Sequence, residues 1–105
     1  MKRKILLVDD NEDFLDSTKD VLEEEGYNVQ TASSGEEAVR KVEEETLDLV
    51  VMDIKMPGLN GVESFIQMKK HRPDIKVIMC TAYIVDGLIR QAIEEGAYTV
   101  LNKPF

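Results

Sequence analysis

The stretch LDLVVMDIKMPGLNG, residues 47–61, decides the fold of this chain. It contains an apolar run, Leu49 to Met52, that ends on the acid Asp53, and a turn rich in proline and glycine follows. An apolar run without alternation is typical of a parallel strand that is covered on both faces. A buried strand gains no stability from a carboxylate at its end, so Asp53 is the first candidate functional residue.

Further strand patterns lie on both sides of this stretch. Three are Ile5 to Val8, Val77 to Cys80 and Val100 to Leu101, and a weaker, alternating one is Asn28 to Ala32. Helical spacing of apolar residues separates them. Four helices are expected. The first ends at Gly26, the second begins at Ser34, the third begins at Asn60, and the fourth runs from about Asp86 to Gly96. Strands and helices therefore alternate, which predicts a doubly wound α/β domain with a parallel sheet.

Two helix starts and one helix face carry specific expectations. Ser34 and Glu37 have the spacing of a capping box, and Asn60 and Glu63 repeat it. The first helix has a stripe that we expect to face the sheet. Its members are Phe14, Leu15, Thr18, Val21 and Leu22.

Length and composition limit the classes of protein that this chain can be. A chain of 105 residues is long enough for one domain, which we place over residues 1–105. The net charge of −8 argues against direct binding of nucleic acid. No apolar run is long enough to cross a bilayer, so we expect no membrane association and a cytoplasmic location. The single cysteine, Cys80, fits a reducing compartment and a place in the core.

Polar side chains follow four of the five predicted strands. They are Asp9 and Asp10 after the first strand, Asp53 at the third, Thr81 at the fourth and Lys103 at the fifth. In an open parallel sheet, ligands bind beyond the carboxyl ends of the strands. Because neighbouring strands lie about 4.8 Å apart, we expect these side chains to form one site.

The residue types in this set predict phosphoryl transfer. Three carboxylates in one place repel one another unless a cation is bound, and Mg²⁺ suits a small all-oxygen site. We interpret Asp9 and Asp10 as metal-binding residues and Asp53 as a nucleophile that forms an acyl phosphate. Lys103 adds positive charge and Thr81 a hydroxyl donor for the phosphoryl oxygens. Each residue alone has an ordinary structural explanation, and only the set carries the prediction.

The stretches ILLVDDNED, LVVMDIKMPGLNG, VIMCTAY and GAYTVLNKPF together resemble the receiver domain of two-component response regulators, including phosphorelay and NtrC-type receivers. The resemblance implies a flavodoxin-like, five-stranded parallel sheet of order 2-1-3-4-5. It also implies that Asp53 accepts a phosphoryl group from a phosphohistidine of a histidine kinase or histidine phosphotransfer protein. Asp10, Asp53 and the backbone carbonyl of Lys55 would bind Mg²⁺, and Asp9 would act largely through water. Such a domain catalyses only its own phosphorylation and dephosphorylation, so we do not expect an enzyme with a separate substrate.

Three features bear on how far the resemblance extends. Val100 stands where the family usually has Tyr or Phe, so the aromatic movement of other receivers cannot occur in that form. Lys55 and Tyr83 resemble positions of long-lived phosphorelay regulators, which implies slow self-dephosphorylation. The sequence ends at Phe105, where family members continue into a fifth helix. We therefore expect a domain truncated at the end of the fifth strand, whose uncovered face favours a homodimer or swapped oligomer.

Other readings of the same residues compete with this one. A receiver-like module that forms dimers without phosphotransfer ranks second. A Mg²⁺-dependent aspartyl-phosphate phosphatase ranks lower, because that family expects an acid where this chain has Lys55. A flavodoxin-type module ranks lowest, because its phosphate loop needs hydroxyl and glycine residues where this chain has residues 9–13, four of which are acidic.

Overall fold

The computed structural model describes residues 3–54, 56, 58–81, 96 and 99–102, and it describes Thr81 and residues 99–102 through the backbone alone. This part of the chain contains five strands and three helices. They are β1 (Lys4–Val8), α1 (Glu12–Glu24), β2 (Asn28–Ala32), α2 (Gly35–Glu44), β3 (Leu49–Asp53), α3 (Gly61–His71), β4 (Val77–Thr81) and β5 (Thr99–Asn102). The helix predicted between Asp86 and Gly96 falls almost wholly outside the described residues, as does Tyr83.

The strands form one parallel sheet in the order β2-β1-β3-β4-β5. This is the order that the family resemblance implied. From β1 the chain proceeds first to one side, as β2, and then to the other side, as β3. The carboxyl ends of β1 and β3 are therefore neighbours at the switch point, where Val8 pairs with Met52.

Buried side chains lie on both faces of the sheet. The larger cluster joins strand residues such as Leu6 and Val50 to Phe65 and Met68 of α3. The smaller cluster joins Ile5, Leu7, Leu15 and Val29 beside α1, and Leu49 and Val51 are only half-buried against it. Cys80 is buried, as expected for a core thiol. In the described part of the chain, no helix combines the length and the apolar character that a membrane span requires.

The apolar stripe of α1 is less buried than expected. Leu15 is buried and Leu22 is half-buried, but Val21 is 58% exposed, so the prediction for Val21 is wrong. The reason is geometric. Val21 lies six residues after Leu15, which rotates it by about 120° from the buried face at 3.6 residues per turn. Leu22, seven residues after Leu15, returns to that face.

One of the two predicted capping boxes is present. The Asn60 side chain accepts a hydrogen bond from the Glu63 N–H (2.9 Å), and the Glu63 side chain accepts one from the Asn60 N–H (3.2 Å).

At α2, the Ser34 hydroxyl accepts a hydrogen bond from the Glu37 N–H (3.2 Å). The Glu37 carboxylate, however, accepts from the Ser33 N–H (2.7 Å) and not from Ser34. The second capping box is therefore wrong in its return bond, because Ser33 offers Glu37 a hydroxyl donor (3.5 Å) besides its N–H.

Candidate functional site

Three carboxylates meet where β1 and β3 end. Asp9, Asp10 and Asp53 each offer one oxygen atom, and these atoms lie within 4.8 Å of one another. Asp9 is 1% exposed and Asp53 is 5% exposed, whereas Asp10 is exposed to solvent. The expected meeting of the three side chains is therefore observed. Two of the acids, Asp9 and Asp53, are therefore buried, and the third, Asp10, lies at the surface of the protein.

The segment between β1 and α1 fixes the first of these acids. The Asp9 N–H donates to the Ala32 carbonyl (3.1 Å), which continues the ladder between β1 and β2. The Asp9 carboxylate accepts a hydrogen bond from the Asn11 N–H (2.9 Å). Asn11 in turn caps α1, because its side chain accepts from the Phe14 N–H (3.2 Å). Asp9 is thus held by backbone and side-chain bonds before any ligand binds.

Asp53 is fixed by the strands and by a close turn. It pairs with Cys80 of β4, and the next residue, Ile54, donates its N–H to the Cys80 carbonyl (3.0 Å). The β3–α3 loop, residues 54–60, is closed by a bond from the Gly61 N–H to the Ile54 carbonyl (2.8 Å). A Cβ atom at Gly61 would collide with the Asp53 carbonyl oxygen. Glycine at this position therefore allows α3 to begin directly against the end of β3.

The structure brings one more predicted site residue to this edge. Thr81 is the last residue of β4 and pairs with Asn102 of β5, one position beyond the pair of Asp53 with Cys80. Its backbone is thus at the same end of the sheet as the carboxylates. Lys55 and Lys103 are not among the residues that the structure describes. The roles assigned to Thr81, Lys55 and Lys103 stay predictions.

The donor set favours a hard divalent cation. All three groups are carboxylates, and no histidine or cysteine joins this cluster within the described residues. Carboxylate oxygens are the ligands of Mg²⁺ and Ca²⁺, whereas softer metals favour nitrogen and sulfur. A bound cation would also offset the repulsion among the three acids. The residues present therefore fit a Mg²⁺ ion.

Comparison with known proteins identifies relatives over the whole length of the chain. The family described as "Response regulator receiver domain" matches residues 5–105. The chain is 39% identical over 105 residues to sporulation initiation phosphotransferase F of Bacillus subtilis. The aligned region covers 100% of this chain and 85% of that protein.

Two solved structures are similar in fold as well as in sequence. One is a CheY-like receiver domain protein from Methanospirillum hungatei, at 38% identity and a TM-score of 0.96, over 100% of this chain and 84% of that one. The other is the response regulator TrrA from Thermotoga maritima in complex with Mg(2+)-BeF. It has 37% identity and a TM-score of 0.87, over 98% of this chain and 88% of that one.

Proposed function

The chain belongs to the response regulator receiver domain family, and on that premise we propose that Asp53 is its phosphoryl acceptor. Receiver domains are signalling domains of two-component systems, and their relatives include a phosphotransferase. The observation that carries the proposal is the meeting of Asp9, Asp10 and Asp53 at the switch point of the sheet. This membership favours receiver chemistry over the phosphatase and flavodoxin alternatives.

The proposed reaction is a transfer between two side chains. A carboxylate oxygen of Asp53 attacks the phosphorus of a phosphohistidine on a histidine kinase or histidine phosphotransfer protein. The new O–P bond gives an aspartyl phosphate, and the electron pair of the broken P–N bond stays on the leaving ring nitrogen. The imidazole leaves as a neutral histidine because its other nitrogen carries a proton in the reacting phosphohistidine. Thr81 would donate its hydroxyl to a phosphoryl oxygen, and the Lys103 ammonium would pair with another.

The same acids would hold the metal on which this transfer depends. Receiver domains bind Mg²⁺ in an acidic pocket, and the relative TrrA was solved with Mg(2+)-BeF. In this chain Asp10, Asp53 and the Lys55 backbone carbonyl would bind the ion, and Asp9 would act through water. Bound Mg²⁺ supplies positive charge that neutralises the phosphoryl oxygens.

The test is the intact mass of the protein after incubation with Mg²⁺ and a small acyl phosphate. The parent should gain one phosphoryl group, and Asp53→Asn should gain none. Asp20→Asn is the matched control, because Asp20 is an exposed residue of α1 and loses the same charge. Removal of Mg²⁺ with a chelator should abolish the gain in the parent.

Two results would contradict the proposal. A gain in Asp53→Asn would place the phosphoryl group on another residue. No gain in a folded parent would favour the receiver-like module that forms dimers without phosphotransfer.

A further inference from the structure

A short turn carries two of the three carboxylates of the site. The Asp9 carboxylate accepts a hydrogen bond from the Asn11 N–H at 2.9 Å, and Asp10 lies between the two bonded residues. Asp9 is 1% exposed, whereas Asp10 is exposed to solvent. The bond therefore closes a turn, residues 9–11, whose first residue is the buried acid and whose middle residue is the acid at the surface. A change in the position of Asn11 would alter the positions of both acids relative to Asp53.

Asn11 is fixed on its other side by the first turn of α1. Its side-chain oxygen accepts a hydrogen bond from the Phe14 N–H (3.2 Å), and its backbone carbonyl accepts one from the Leu15 N–H (3.1 Å). Leu15 is 4% exposed and belongs to the buried cluster beside α1. The start of α1 is thus attached to the core of the protein, and Asn11 connects this attachment to the Asp9 carboxylate.

The side chain and the backbone N–H of Asn11 have different partners. The side chain bonds to the helix, whereas the N–H bonds to the acid of the site. An N-cap residue has non-helical dihedral angles, and its side-chain bond to the first turn stabilises the helix start. Asn11 has φ −91° and ψ 102°. Loss of the side-chain acceptor should therefore leave the backbone of Asn11 less fixed, and with it the N–H that is bonded to Asp9.

The bond from Asn11 to Asp9 has a charged acceptor. Hydrogen bonds to a carboxylate are shorter and stronger than those between neutral groups. In metal sites, the carboxylates that face the ion are themselves hydrogen-bonded, and these bonds fix their orientation. The Asn11 N–H is a bond of this kind, because its acceptor belongs to the cluster of Asp9, Asp10 and Asp53.

We propose that Asn11 is a positioning residue, whose side chain holds the turn at residues 9–11 in the conformation that brings Asp9 and Asp10 to the Mg²⁺ site. This inference rests on the proposed function, because the acids that Asn11 positions are those assigned to the metal. Groups that orient metal ligands without touching the metal commonly change its affinity by about 10- to 100-fold. Asn11 acts through its own backbone, so we expect about tenfold, the lower end of that range.

The experiment compares Mg²⁺ affinity among variants of two helix caps, by calorimetric titration of the folded proteins. Asn11→Ala removes the side-chain acceptor. Asn11→Gly removes it as well, but glycine costs little stability at an N-cap, so this variant separates metal affinity from stability. Asn11→Ser restores a good N-cap with a different side chain. Ser34→Ala is the matched control, because Ser34 caps a different helix, α2, through the Glu37 N–H.

We expect Mg²⁺ to bind about tenfold more weakly to Asn11→Ala and Asn11→Gly than to the parent and to Ser34→Ala. Asn11→Ser should bind Mg²⁺ nearly as tightly as the parent. Urea unfolding without metal is measured beside the titration, because a cap that only stabilises α1 would change stability and leave the affinity of the folded protein unaltered. If Asn11→Ala does not fold, Asn11→Gly decides the question.

The outcomes separate this inference from the one on which it rests. Parental affinity in folded Asn11→Gly would overturn the positioning role and leave the metal site intact. An equal loss of affinity in Ser34→Ala would also overturn it, because affinity would then depend on helix caps in general. A folded parent that binds no Mg²⁺ would overturn the proposed metal site, and the positioning role with it.

Discussion

At the scale of single residues, Asp10 differs from the two acids beside it because it is exposed. Without metal it adds a third negative charge to a site that already holds Asp9 and Asp53. Two unit charges about 4 Å apart in water repel by about 1 kcal/mol. We therefore predict that Asp10→Asn is about 1 kcal/mol more stable than the parent in the absence of Mg²⁺.

The same substitution should remove the response to metal. A ligand that binds only the folded state raises its stability, so Mg²⁺ should raise the Tm of the parent and change that of Asp10→Asn little. Asp13→Asn, an exposed acid in the first turn of α1, is the control and should respond like the parent. If Asp10→Asn were less stable than the parent without Mg²⁺, repulsion among the carboxylates would not be the dominant effect.

Glu36 gives a second prediction at this scale, on the pH dependence of stability. Its carboxylate accepts a hydrogen bond from the Leu59 N–H (2.9 Å), and this bond is the main cause that lowers its pKa in the folded protein below the ordinary value of 4.5. A lowered pKa contributes stability above the unfolded value, and that contribution is lost as pH falls through the folded value. The parent should therefore lose more free energy of unfolding than Glu36→Gln between about pH 6 and pH 3. Urea titrations at several pH values measure this, and parallel curves for the two proteins would contradict it.

At the scale of elements, the start of α2 is packed so closely against the loop that a methyl group does not fit. A Cβ atom at Gly35 would lie 2.5 Å from the Leu59 carbonyl oxygen and would also collide with the Ser64 hydroxyl. Helix propensity alone would make alanine more stable than glycine by about 1 kcal/mol. We predict instead that Gly35→Ala is less stable by about 1–3 kcal/mol, the usual cost of overpacking. Urea unfolding measures the sign, and a gain in stability would show that the loop moves away easily.

The elements also show which features the sequence could predict. The end of β3 and the capping box of Asn60 with Glu63 follow from local patterns, so they were predictable. The meeting of the carboxylates was predictable as well, because parallel strands that share an edge bring their carboxyl ends together. The exposure of Val21 was predictable too, because its spacing of six residues from Leu15 already places it off the buried face. The Glu36–Leu59 bond joins residues 23 positions apart, and no local pattern contains it.

At the scale of the whole molecule, the side chains that the structure describes pack unequally on the two faces of the sheet. The cluster beside α2 and α3 contains fully buried residues from several strands, including Leu6 and Met52, each 0% exposed. The cluster beside α1 is smaller, and Leu49 and Val51 at its edge are half-buried. The apolar runs predicted strands that are covered on both faces. The two faces nevertheless contribute unequally to the stability of the described part of the chain. The better-packed face is the one that supports α2, α3 and the loop after Asp53.

Because of this difference in burial, we predict that a leucine-to-alanine substitution lowers the free energy of unfolding by different amounts in the neighbouring strands β1 and β3. Leu6→Ala should lower the free energy of unfolding by about 2–5 kcal/mol, because a fully buried leucine leaves a cavity. Leu49→Ala should lower it by about 1 kcal/mol, because its side chain still contacts water and removes less apolar area. Leu7→Ala is the control, since Leu7 is buried at 1% exposure but belongs to the smaller cluster with Leu49. If burial sets the cost, Leu7→Ala should resemble Leu6→Ala in urea unfolding. A Leu49→Ala loss as large as that of Leu6→Ala would instead mean that the α1 face is as tightly packed in solution as the face that supports the site.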